Sequence, residues 1–510
     1  MRCLLHAKAV LGPGRGMFCF RAAATVNAAP TRVPLQEVPG PKCYPVVGTL
    51  FDMIFDKDFD KAQIHHYFKK LFLRYGPVVR IKIPGQPTLV MLQNPEDIKT
   101  ILNATMINPY REPIGCIRKI RYDDDYYEKK CGLVAENGEE WYRVSSLLRP
   151  KVLRMDNLHP YLPQMDQVTL DFLNRISSLR DTRGEITVDF KDELERWALE
   201  CVCLISMNQR LGCLEPSLKS GSEQELIWHA AKNLFPYVEE CETGSKLWKF
   251  YPNKPYKQVQ HCMEKLKETS EAVLKEAELE MKLKLEKDPN ARLSMLEQCL
   301  VQPGLTRKDI VMFMIDLIAG GTDTVANMAG VILYLLAKNP EVQAKLQEEV
   351  DKVLGDDTGP LTQRHLDQLS YLKAVVKEAN RVLPILLGPV RTLQEDVRLG
   401  NFLLHKGWML LLMSAFSGWD AKEIQHPQDF LPERWLRHRP YGSIHPCASI
   451  PFSFGSRMCI GRRIAEQEIY IFLARMFQRY TLEWKYGELE RTLKQLFSPK
   501  GPLKFTFMDR

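Results

Sequence analysis

The most constraining feature of the chain is its long apolar segment 306–340, TRKDIVMFMIDLIAGGTDTVANMAGVILYLLAKNP. It begins with a Thr-x-x-Asp helix-start signal and ends at Asn339-Pro340, which predicts one helix roughly 50 Å long. A membrane span is the alternative, but Asp316 and Asp323 interrupt the apolar run, and charges inside a bilayer are costly. A buried helix of this length needs a large core around it, and we therefore expect it to lie at the centre of the domain.

The centre of this segment, AGGTDTVAN, opposes helix formation. Each glycine costs roughly 1 kcal/mol relative to alanine, and Asp and Thr compete for backbone hydrogen bonds. A close helix crossing would explain Gly320 and Gly321 but not the acid and alcohol beside them. A flat ligand against the helix explains all four, with Thr324 offering a hydroxyl and Asp323 connecting it to a proton source.

Composition and periodicity indicate a globular protein that is mainly α with a minor β-sheet subdomain. The 510 residues are 45% hydrophobic and 26% charged, which is ordinary for a folded chain and excludes general disorder. Residues 76–92, GPVVRIKIPGQPTLVML, predict two strands around a Pro-Gly turn. Residues 191–212 have helical period up to Gly212, and the highly charged 261–287 predicts a solvated surface helix.

Charge and cysteine usage exclude two classes of protein. The net charge of +7 is small for this length, and no aromatic-basic stripe supports nucleic-acid binding. The 13 cysteines are odd in number and scattered, with no CxxC pair. A zinc ribbon or a disulfide framework is therefore not expected, and most of these cysteines are predicted to be small core hydrophobes in a reducing compartment.

The N-terminus predicts targeting. Residues 1–36 contain no acidic residue and five basic ones, Arg2, Lys8, Arg15, Arg21 and Arg32. This charge pattern is typical of a mitochondrial import peptide, although serine is missing. A secretory signal is the alternative, but Arg21 interrupts its apolar run, and no N-terminal anchor is expected. Residues 37–48 form a proline-rich lead-in to a domain that we place at 49–510.

One cysteine stands in a glycine-punctuated loop, PFSFGSRMCIGRR, residues 451–463. A thiolate is a strong ligand for iron, and the glycines permit close approach of the backbone to a macrocycle. Phe452 would pack against such a ring, while Arg457 can pair with a carboxylate of the cofactor. Helical period follows the loop, so Cys459 precedes a helix N-terminus, where an anion is stabilised.

This loop resembles the haem-binding signature of cytochrome P-450 monooxygenases, F-x-x-G-x-R-x-C-x-G. Its fixed positions here are Phe452, Gly455, Arg457, Cys459 and Gly461. GGTDTV is similar to the oxygen-activating segment of that family's long helix, and KEANR with the later FLPERW resembles its buried network, here Glu378, Arg381 and Arg434.

The resemblance spans residues 38–510 and implies the cytochrome P-450 fold. It implies haem b with Cys459 as the iron ligand, and insertion of one oxygen atom from O2 into a lipophilic substrate. It also implies that Asp323 and Thr324 guide protons to the oxygen.

One position departs from the family pattern. Relatives have Trp-x-x-x-Arg, whose arginine binds a haem propionate, whereas here Ser145 follows Trp141 at that spacing. The predicted propionate ligands are Trp141, Arg391 and Arg457, with Arg143 or Arg149 as replacements for the missing arginine.

Further features resemble the mitochondrial branch of the family. Arg462 and Arg463 directly follow the cysteine loop, and Lys373 and Lys377 lie four residues apart on one helix face. In mitochondrial relatives, cations at these positions dock an acidic [2Fe–2S] ferredoxin, which a ferredoxin reductase supplies with electrons. A solvated basic face is the alternative. The branch implies a peripheral protein on the matrix side of the inner membrane.

The branch also implies a sterol- or steroid-like substrate. A xenobiotic hydroxylase of the same branch and a haem-thiolate binding protein without turnover remain alternatives. Residues 247–257, LWKFYPNKPYK, mix aromatic and basic side chains, which suits either contact with a membrane surface or an ordinary loop. Residues 110–130 are expected to roof the substrate pocket.

Overall fold

The computed structural model describes residues 35–57, 59–216, 218–244 and 246–510. The helices are α1 Leu50–Ile54, α2 Ile64–Tyr75, α3 Pro95–Ala104, α4 Gly115–Asp123, α5 Gly132–Ala135, α6 Gly138–Val152, α7 Met155–Leu158, α8 Leu162–Leu179, α9 Phe190–Ser206, α10 Glu223–Thr243, α11 Lys254–Lys287, α12 Met295–Leu300, α13 Arg307–Lys338, α14 Pro340–Leu354, α15 Gln363–Gln368, α16 Ser370–Val382, α17 Ser414–Trp419 and α18 Arg462–Arg479. The strands are β1 Val78–Ile81, β2 Leu89–Leu92, β3 Val390–Thr392, β4 Val397–Leu399, β5 Phe402–Leu404, β6 Met409–Leu412, β7 Tyr480–Glu483, β8 Arg491–Leu493, β9 Phe497–Pro499 and β10 Thr506–Asp509. The predicted mainly α fold with a minor β component is confirmed.

Helix α13 is the buried central helix that the sequence predicts. The Thr306 hydroxyl accepts a hydrogen bond from the Asp309 N–H (3.1 Å), and the Asp309 carboxylate accepts one from the Thr306 N–H (2.9 Å). This capping box satisfies two of the free N–H groups at the helix start. The helix packs most extensively against α9. Among the described residues no helix is long and apolar enough to cross a membrane.

The largest sheet is built around the predicted strand pair. β1 and β2 are antiparallel, with Val78 opposite Leu92, and β2 continues into a parallel pairing with β6. β3 completes the strand order β1-β2-β6-β3 and carries Arg391, one of the predicted propionate ligands.

Two helix predictions need correction. Helix α9 ends at Ser206 rather than Gly212, because the chain turns at Asn208, whose φ is +58°. The turn lets Arg210 donate hydrogen bonds to Asp171 (2.5 Å) and to the buried Glu200 (3.2 Å).

The predicted surface helix begins at Lys254, and only its outer face is solvated. Ten of its residues between Tyr256 and Ala277 are buried. The helix is therefore amphipathic, with a buried apolar face along most of its length opposite the charged face.

The cysteines behave largely as predicted. Eleven of them lie in described residues, all are free, and only Cys43 and Cys459 of these eleven are exposed. The predicted import peptide lies outside the described residues except for Leu35 and Gln36. The proline-rich lead-in packs on the sheet, since the Arg80 N–H donates to the carbonyl oxygen of Pro39 (2.8 Å).

Candidate functional site

The cysteine loop is a strained turn that ends at the start of α18. The Cys459 N–H donates to the Phe452 carbonyl (2.9 Å), which closes the loop. Ser453 and Gly455 have φ of +62° and +83°. A Cβ at Gly455 would lie 2.5 Å from the Met106 sulfur, so both conformation and space require glycine there.

The Cys459 sulfur is surrounded by groups that stabilise a thiolate. Its side chain is exposed, yet the protein around it displaces enough water to raise the pKa of the thiol. Hydrogen bonds from the N–H groups of Gly461 and Arg462, together with the charges of Arg111 and Arg149, oppose this rise, but the pKa of the thiol stays above its ordinary value. The arrangement suits a sulfur anion bound to a cation such as iron.

Arg457, two residues before the cysteine, is buried beside Trp141. Its guanidinium carbon lies 4.4 Å from the centre of the Trp141 ring, and its Nη2 donates to the Glu136 carbonyl (2.7 Å). Burial, followed by the positive charges of Arg111 and Arg391, lowers the pKa of Arg457. Three guanidinium groups thus lie close enough to repel one another.

This arginine cluster, defined as Arg111, Arg391 and Arg457, is positioned by backbone carbonyls. In the described part of the chain, its side-chain hydrogen bonds go to backbone carbonyls, such as Arg111 Nη2 to Val134 (2.6 Å) and Arg391 Nη1 to Val390 (2.8 Å). The buried Arg391 Nε has no hydrogen-bond partner among the residues that the structure describes. Buried cations are unfavourable unless negative charge offsets them. Asp316 and Cys459 offset Arg111, and Glu136 offsets Arg457, only in part, so the cluster suits a further carboxylate.

Of the two candidates to replace the missing arginine, neither joins this cluster by its hydrogen bonds. Arg143 Nη2 donates to Glu140 (2.6 Å) and Asp309 (2.8 Å), which directs it to the start of α13. Arg149 Nη1 donates to the Met458 carbonyl (3.0 Å), beneath the cysteine loop. Ser145 is buried, and its hydroxyl donates to the Tyr142 carbonyl (3.4 Å) within its own helix.

Sequence reasoning missed Arg111, which is the residue that completes the cluster. The Thr392 N–H donates to the Tyr110 carbonyl (2.9 Å), and this bond brings Arg111 beside Arg391 of β3. The signal available in the sequence was weak, because Arg111 lies in a loop far upstream of Trp141 and follows no spacing rule.

The two glycines in α13 have different surroundings, and the close-crossing interpretation is confirmed for Gly321 alone. A Cβ at Gly321 would lie 2.9 Å from Val202 Cγ2 of α9, as expected for a close helix crossing. A Cβ at Gly320 would meet nothing within 4 Å. The Thr324 hydroxyl donates to the Gly320 carbonyl (2.6 Å), so the helix presents an alcohol at an open position.

Asp323 faces a different neighbour from the one that the sequence predicts. Its carboxylate accepts hydrogen bonds from Lys191 (3.1 Å) and Asn327 (2.9 Å) rather than from Thr324. Lys191 also pairs with Glu195 (2.8 Å), and its side chain is 22% exposed. The acid is therefore connected towards solvent through a lysine, without a direct bond to the alcohol.

The comparisons decide the family. The family model described as Cytochrome P450 matches residues 38–507. The chain belongs to the cytochrome P450 family. It is 30% identical over 494 residues to probable cytochrome P450 301a1, mitochondrial, of Drosophila melanogaster, covering 93% of this chain and 87% of that protein. It is 28% identical over 476 residues to cytochrome P450 302a1, mitochondrial, of the same organism, covering 92% of this chain and 94% of that protein.

As a P450, the protein is a haem-thiolate monooxygenase with haem b as its cofactor. The residues present fit that group. Cys459 offers a sulfur supported by two backbone N–H groups, and the arginine cluster offers cations for two propionates.

The structure brings the predicted Glu-Arg-Arg network of this P450 together in its interior. Glu378 pairs with Arg381 (2.7 Å) and with Arg434 (2.9 Å), and these three side chains are at most 1% exposed. Glu378 also accepts hydrogen bonds from the Trp435 indole (2.8 Å) and the Leu431 N–H (3.1 Å). Arg381 in turn donates to three backbone carbonyls, those of Gly418, Pro427 and Asp429.

The four cations predicted to dock a ferredoxin lie on two adjacent helices of the P450, α16 and α18. Lys377 is exposed, and Lys373 lies over the Tyr470 ring of α18 at 5.9 Å. Arg462 and Arg463 both pair with Glu466, at 2.8 Å and 3.2 Å. Glu466 therefore offsets part of the charge that sequence counting assigns to this surface.

Proposed function

We propose that this P450 works in mitochondria, takes electrons from a [2Fe–2S] ferredoxin, and inserts one oxygen atom from O2 into a sterol- or steroid-like substrate. The observation that carries the proposal is the Cys459 loop facing a cluster of buried arginines, with the open Gly320–Thr324 turn of α13 as the third part of the site. The mitochondrial assignment is supported by relatives named mitochondrial and by the cations on α16 and α18. The substrate class comes from the resemblance to that branch.

The cysteine loop and the arginine cluster hold the cofactor. Haem b, when bound, supplies the activation of O2 and the oxidation of a C–H bond. Cys459 ligates its iron, and the N–H groups of Gly461 and Arg462 stabilise the sulfur charge. Arg111 with the predicted Arg391, Arg457 and Trp141 holds the propionates, which fixes the orientation of the ring.

Protons reach the reacting oxygen from residues of α13. The Thr324 hydroxyl donates its proton to the Gly320 carbonyl (2.6 Å). Because the helix is open at this position, rotation of the hydroxyl can direct the same proton to the reacting oxygen instead. Asp323 and Lys191 form the connection towards solvent. A carboxylate and an ammonium in contact can exchange protons with water while remaining charge-balanced.

The cations on α16 and α18 form the ferredoxin surface. Opposite charges across an interface steer encounter, and the effect weakens with salt. We expect Lys377→Glu to raise the KM for a [2Fe–2S] ferredoxin about tenfold at low salt and less at high salt. Lys282→Glu, on the exposed end of α11, is the matched control. It should leave the KM for the ferredoxin unchanged at both low and high salt. Equal effects of the two substitutions would contradict the docking assignment.

The segment 247–257 is proposed as the peripheral membrane contact. Phe250 and Tyr251 are 86% and 53% exposed, beside the exposed Lys254 and Lys257. A cavity of about 500 Å³ between α10 and α11 is lined by these lysines and by His229, His261 and Lys265. Apolar side chains ringed by cations are typical of contact with an anionic bilayer. Phe250→Ser should reduce sedimentation with cardiolipin vesicles, and unchanged sedimentation would contradict the contact.

The overall function is tested with Cys459→Ser. The reduced wild-type protein with carbon monoxide should show the Soret position of a thiolate-ligated haem, and the variant should lose it. The wild type should consume O2 and hydroxylate a member of a sterol and steroid panel when supplied with ferredoxin and its reductase. Thiolate haem without any O2 consumption would identify a non-catalytic binder. Turnover of drug-like molecules alone would identify a xenobiotic hydroxylase.

A further inference from the structure

Two buried cysteines from different helices lie in contact with each other. Cys116 belongs to α4 and Cys241 to α10, and they are 0% and 1% exposed. The Cys116 thiol is hydrogen-bonded to the Cys241 sulfur. Two sulfurs in such contact are near the separation that a disulfide requires.

The structure around the pair holds the two helices together without the help of sulfur. The Cys116 N–H donates to the Glu242 carboxylate (2.8 Å), so the start of α4 is bonded to the end of α10. The Trp248 indole donates to the Cys241 carbonyl (2.8 Å). A Cβ at Gly115 would lie 3.0 Å from the Trp248 ring, so this ring contacts both chain segments at the pair.

The hydrogen bond makes the two sulfurs chemically different. It lowers the pKa of Cys241, although burial and the charges of Glu242 and Glu240 act in the opposite direction. The pKa of Cys116 is raised, by the same hydrogen bond first and then by burial. The thiolate is the nucleophile in thiol oxidation, and a second thiol must then attack to form a disulfide. Cys241 is thus suited to be the attacking sulfur and Cys116 the resolving one.

A space-filling role alone does not account for this difference. Cys203 and Cys299 are also buried, and burial raises the pKa of each of these thiols. Thiols of that kind are inert towards oxidants. Cys241 is as little exposed as they are, yet the shift of its pKa has the opposite direction because a second cysteine donates to it.

A cavity leads from the surface to this region. Its volume is about 410 Å³, and its lining includes Ile120 of α4, Tyr256 of α11 and Trp248. The Trp248 and Tyr256 rings are stacked, with their centres 5.8 Å apart. The cavity therefore reaches the ring that contacts both cysteine segments, and hydrogen peroxide is small enough to enter it.

We propose that Cys116 and Cys241 form a modification site, at which hydrogen peroxide produces a disulfide that locks α4 to α10. First the Cys241 sulfur attacks peroxide: an S–O bond forms, the O–O bond breaks, and the leaving hydroxide becomes water with the proton that Cys241 has given up. Then the Cys116 sulfur attacks the sulfenic acid: the S–S bond forms, the S–O bond breaks, and the hydroxyl leaves as water with the Cys116 proton. Two electrons pass from the sulfurs to peroxide, and a dithiol reductant reverses the change.

The disulfide acts on the passage of ligands. This part of the inference rests on the proposed function, because it assumes that α4 covers the haem pocket. A covalent bond to α10 keeps α4 from moving away from its neighbours. Entry and exit of large ligands therefore slow together, while the affinity for a bound ligand stays nearly the same.

The disulfide is tested on the haem-loaded enzyme by mass spectrometry. Trypsin releases Cys116 in the peptide 112–118 and Cys241 in the peptide 233–246, and each peptide contains one cysteine. After one equivalent of hydrogen peroxide and alkylation of the remaining thiols in denaturant, we expect these two peptides to be linked, and dithiothreitol to separate them. Cys203 should be recovered alkylated.

The order of attack is tested with two serine variants. Cys116→Ser keeps a hydrogen-bond donor to Cys241 and removes the resolving thiol, so a sulfenic acid should accumulate at Cys241, where dimedone traps it. Cys241→Ser should leave Cys116 unlabelled. Labelling of Cys116 alone would overturn the assigned order.

The lock is tested with 1-dodecylimidazole, whose nitrogen binds the haem iron and shifts the Soret band. We expect peroxide treatment that leaves the Soret absorbance intact to slow binding and release of this probe about tenfold, with a similar dissociation constant. Cys203→Ala, a substitution of a buried cysteine in α9, should keep this effect of peroxide. Cys241→Ala should lose it.

The outcomes are distinct. Absence of the linked peptides from the wild type overturns the modification site, and this result requires no variant to fold. Linked peptides with unchanged probe kinetics, or equal slowing in Cys241→Ala, overturn the lock. If the reduced enzyme gives no Soret shift with the imidazole and no thiolate spectrum with carbon monoxide, the proposed function fails, whereas the linked peptides still decide the modification site.

Discussion

At the scale of single residues, the proposed propionate site includes an arginine outside the family pattern. Ser145 stands where relatives have a propionate-binding arginine, and its hydroxyl is used within its own helix. Arg111 reaches the arginine cluster from a loop, held by hydrogen bonds with Val134 and Asn137. We therefore propose that Arg111, which the helix pattern does not contain, offsets the substitution in the helix.

Loss of this side chain should weaken haem binding. Arg111→Met removes one of three cations that face the propionates, and we expect haem to transfer to apomyoglobin about tenfold faster, since each charge-assisted bond contributes about 1.5–3 kcal/mol. The rate of haem transfer from Arg111→Lys should lie between those of the wild type and Arg111→Met. Arg143→Met is the control, because Arg143 pairs with Glu140 and Asp309 instead. An unchanged transfer rate in Arg111→Met would contradict the assignment.

Thr324 is expected to govern how efficiently reductant is used. Thr324→Val keeps the shape of the side chain and removes its hydroxyl, so proton delivery to oxygen should fail in most turnovers. NADPH consumption should continue through ferredoxin, while product falls about tenfold and hydrogen peroxide accumulates. Thr324→Ser retains the hydroxyl and should stay coupled. Full coupling of the valine variant would remove the role that we assign to this residue.

At the scale of elements, α13 combines a tight crossing and an open face within one turn. Gly321 permits the approach of α9, and Gly320 leaves space beside Thr324. The sequence shows two equivalent glycines, whereas their surroundings differ because successive residues of a helix point about 100° apart.

This difference predicts opposite effects of the same substitution. Gly321→Ala places a methyl group 2.9 Å from Val202 Cγ2, and such overpacking costs about 1–3 kcal/mol. Gly320→Ala meets no neighbour and gains helix propensity, up to about 1 kcal/mol. In urea unfolding, Gly321→Ala should lower the free energy of unfolding, whereas Gly320→Ala should not. Adding Val202→Ala to Gly321→Ala should restore the free energy of unfolding. Equal shifts in both variants would show that the crossing is not tight.

At the scale of the whole molecule, Glu378 joins distant parts of the chain. It connects α16 with residues 431–435, and Arg381 extends the network to the carbonyls near residues 418–429. These are the segments that lead into the cysteine loop. The network consequently holds the approach to that loop as one unit.

Breaking the network should be far more damaging than breaking a surface pair. Glu378→Gln leaves two buried guanidinium groups without a carboxylate, and we expect a loss of about 3–5 kcal/mol in the free energy of unfolding. Glu483→Gln is the control, since Glu483 pairs with Lys485 where both side chains are about half exposed, and it should cost at most about 1 kcal/mol. Similar yields and melting temperatures of the two variants would contradict the central role of Glu378.

The sequence alone indicated the family, which the comparisons confirm, and it located the central helix and the Glu-Arg-Arg residues, because each depends on fixed local spacing or on an apolar pattern that only burial satisfies. The tertiary structure decided what depends on packing between distant segments: Arg111 beside Arg391, Asp323 bound to Lys191, Gly321 against Val202, and Arg121 holding Asp316. These pairs join loops and helices far apart in the chain. Distances between such segments are set by how the whole core packs, and no local pattern of residues carries that information.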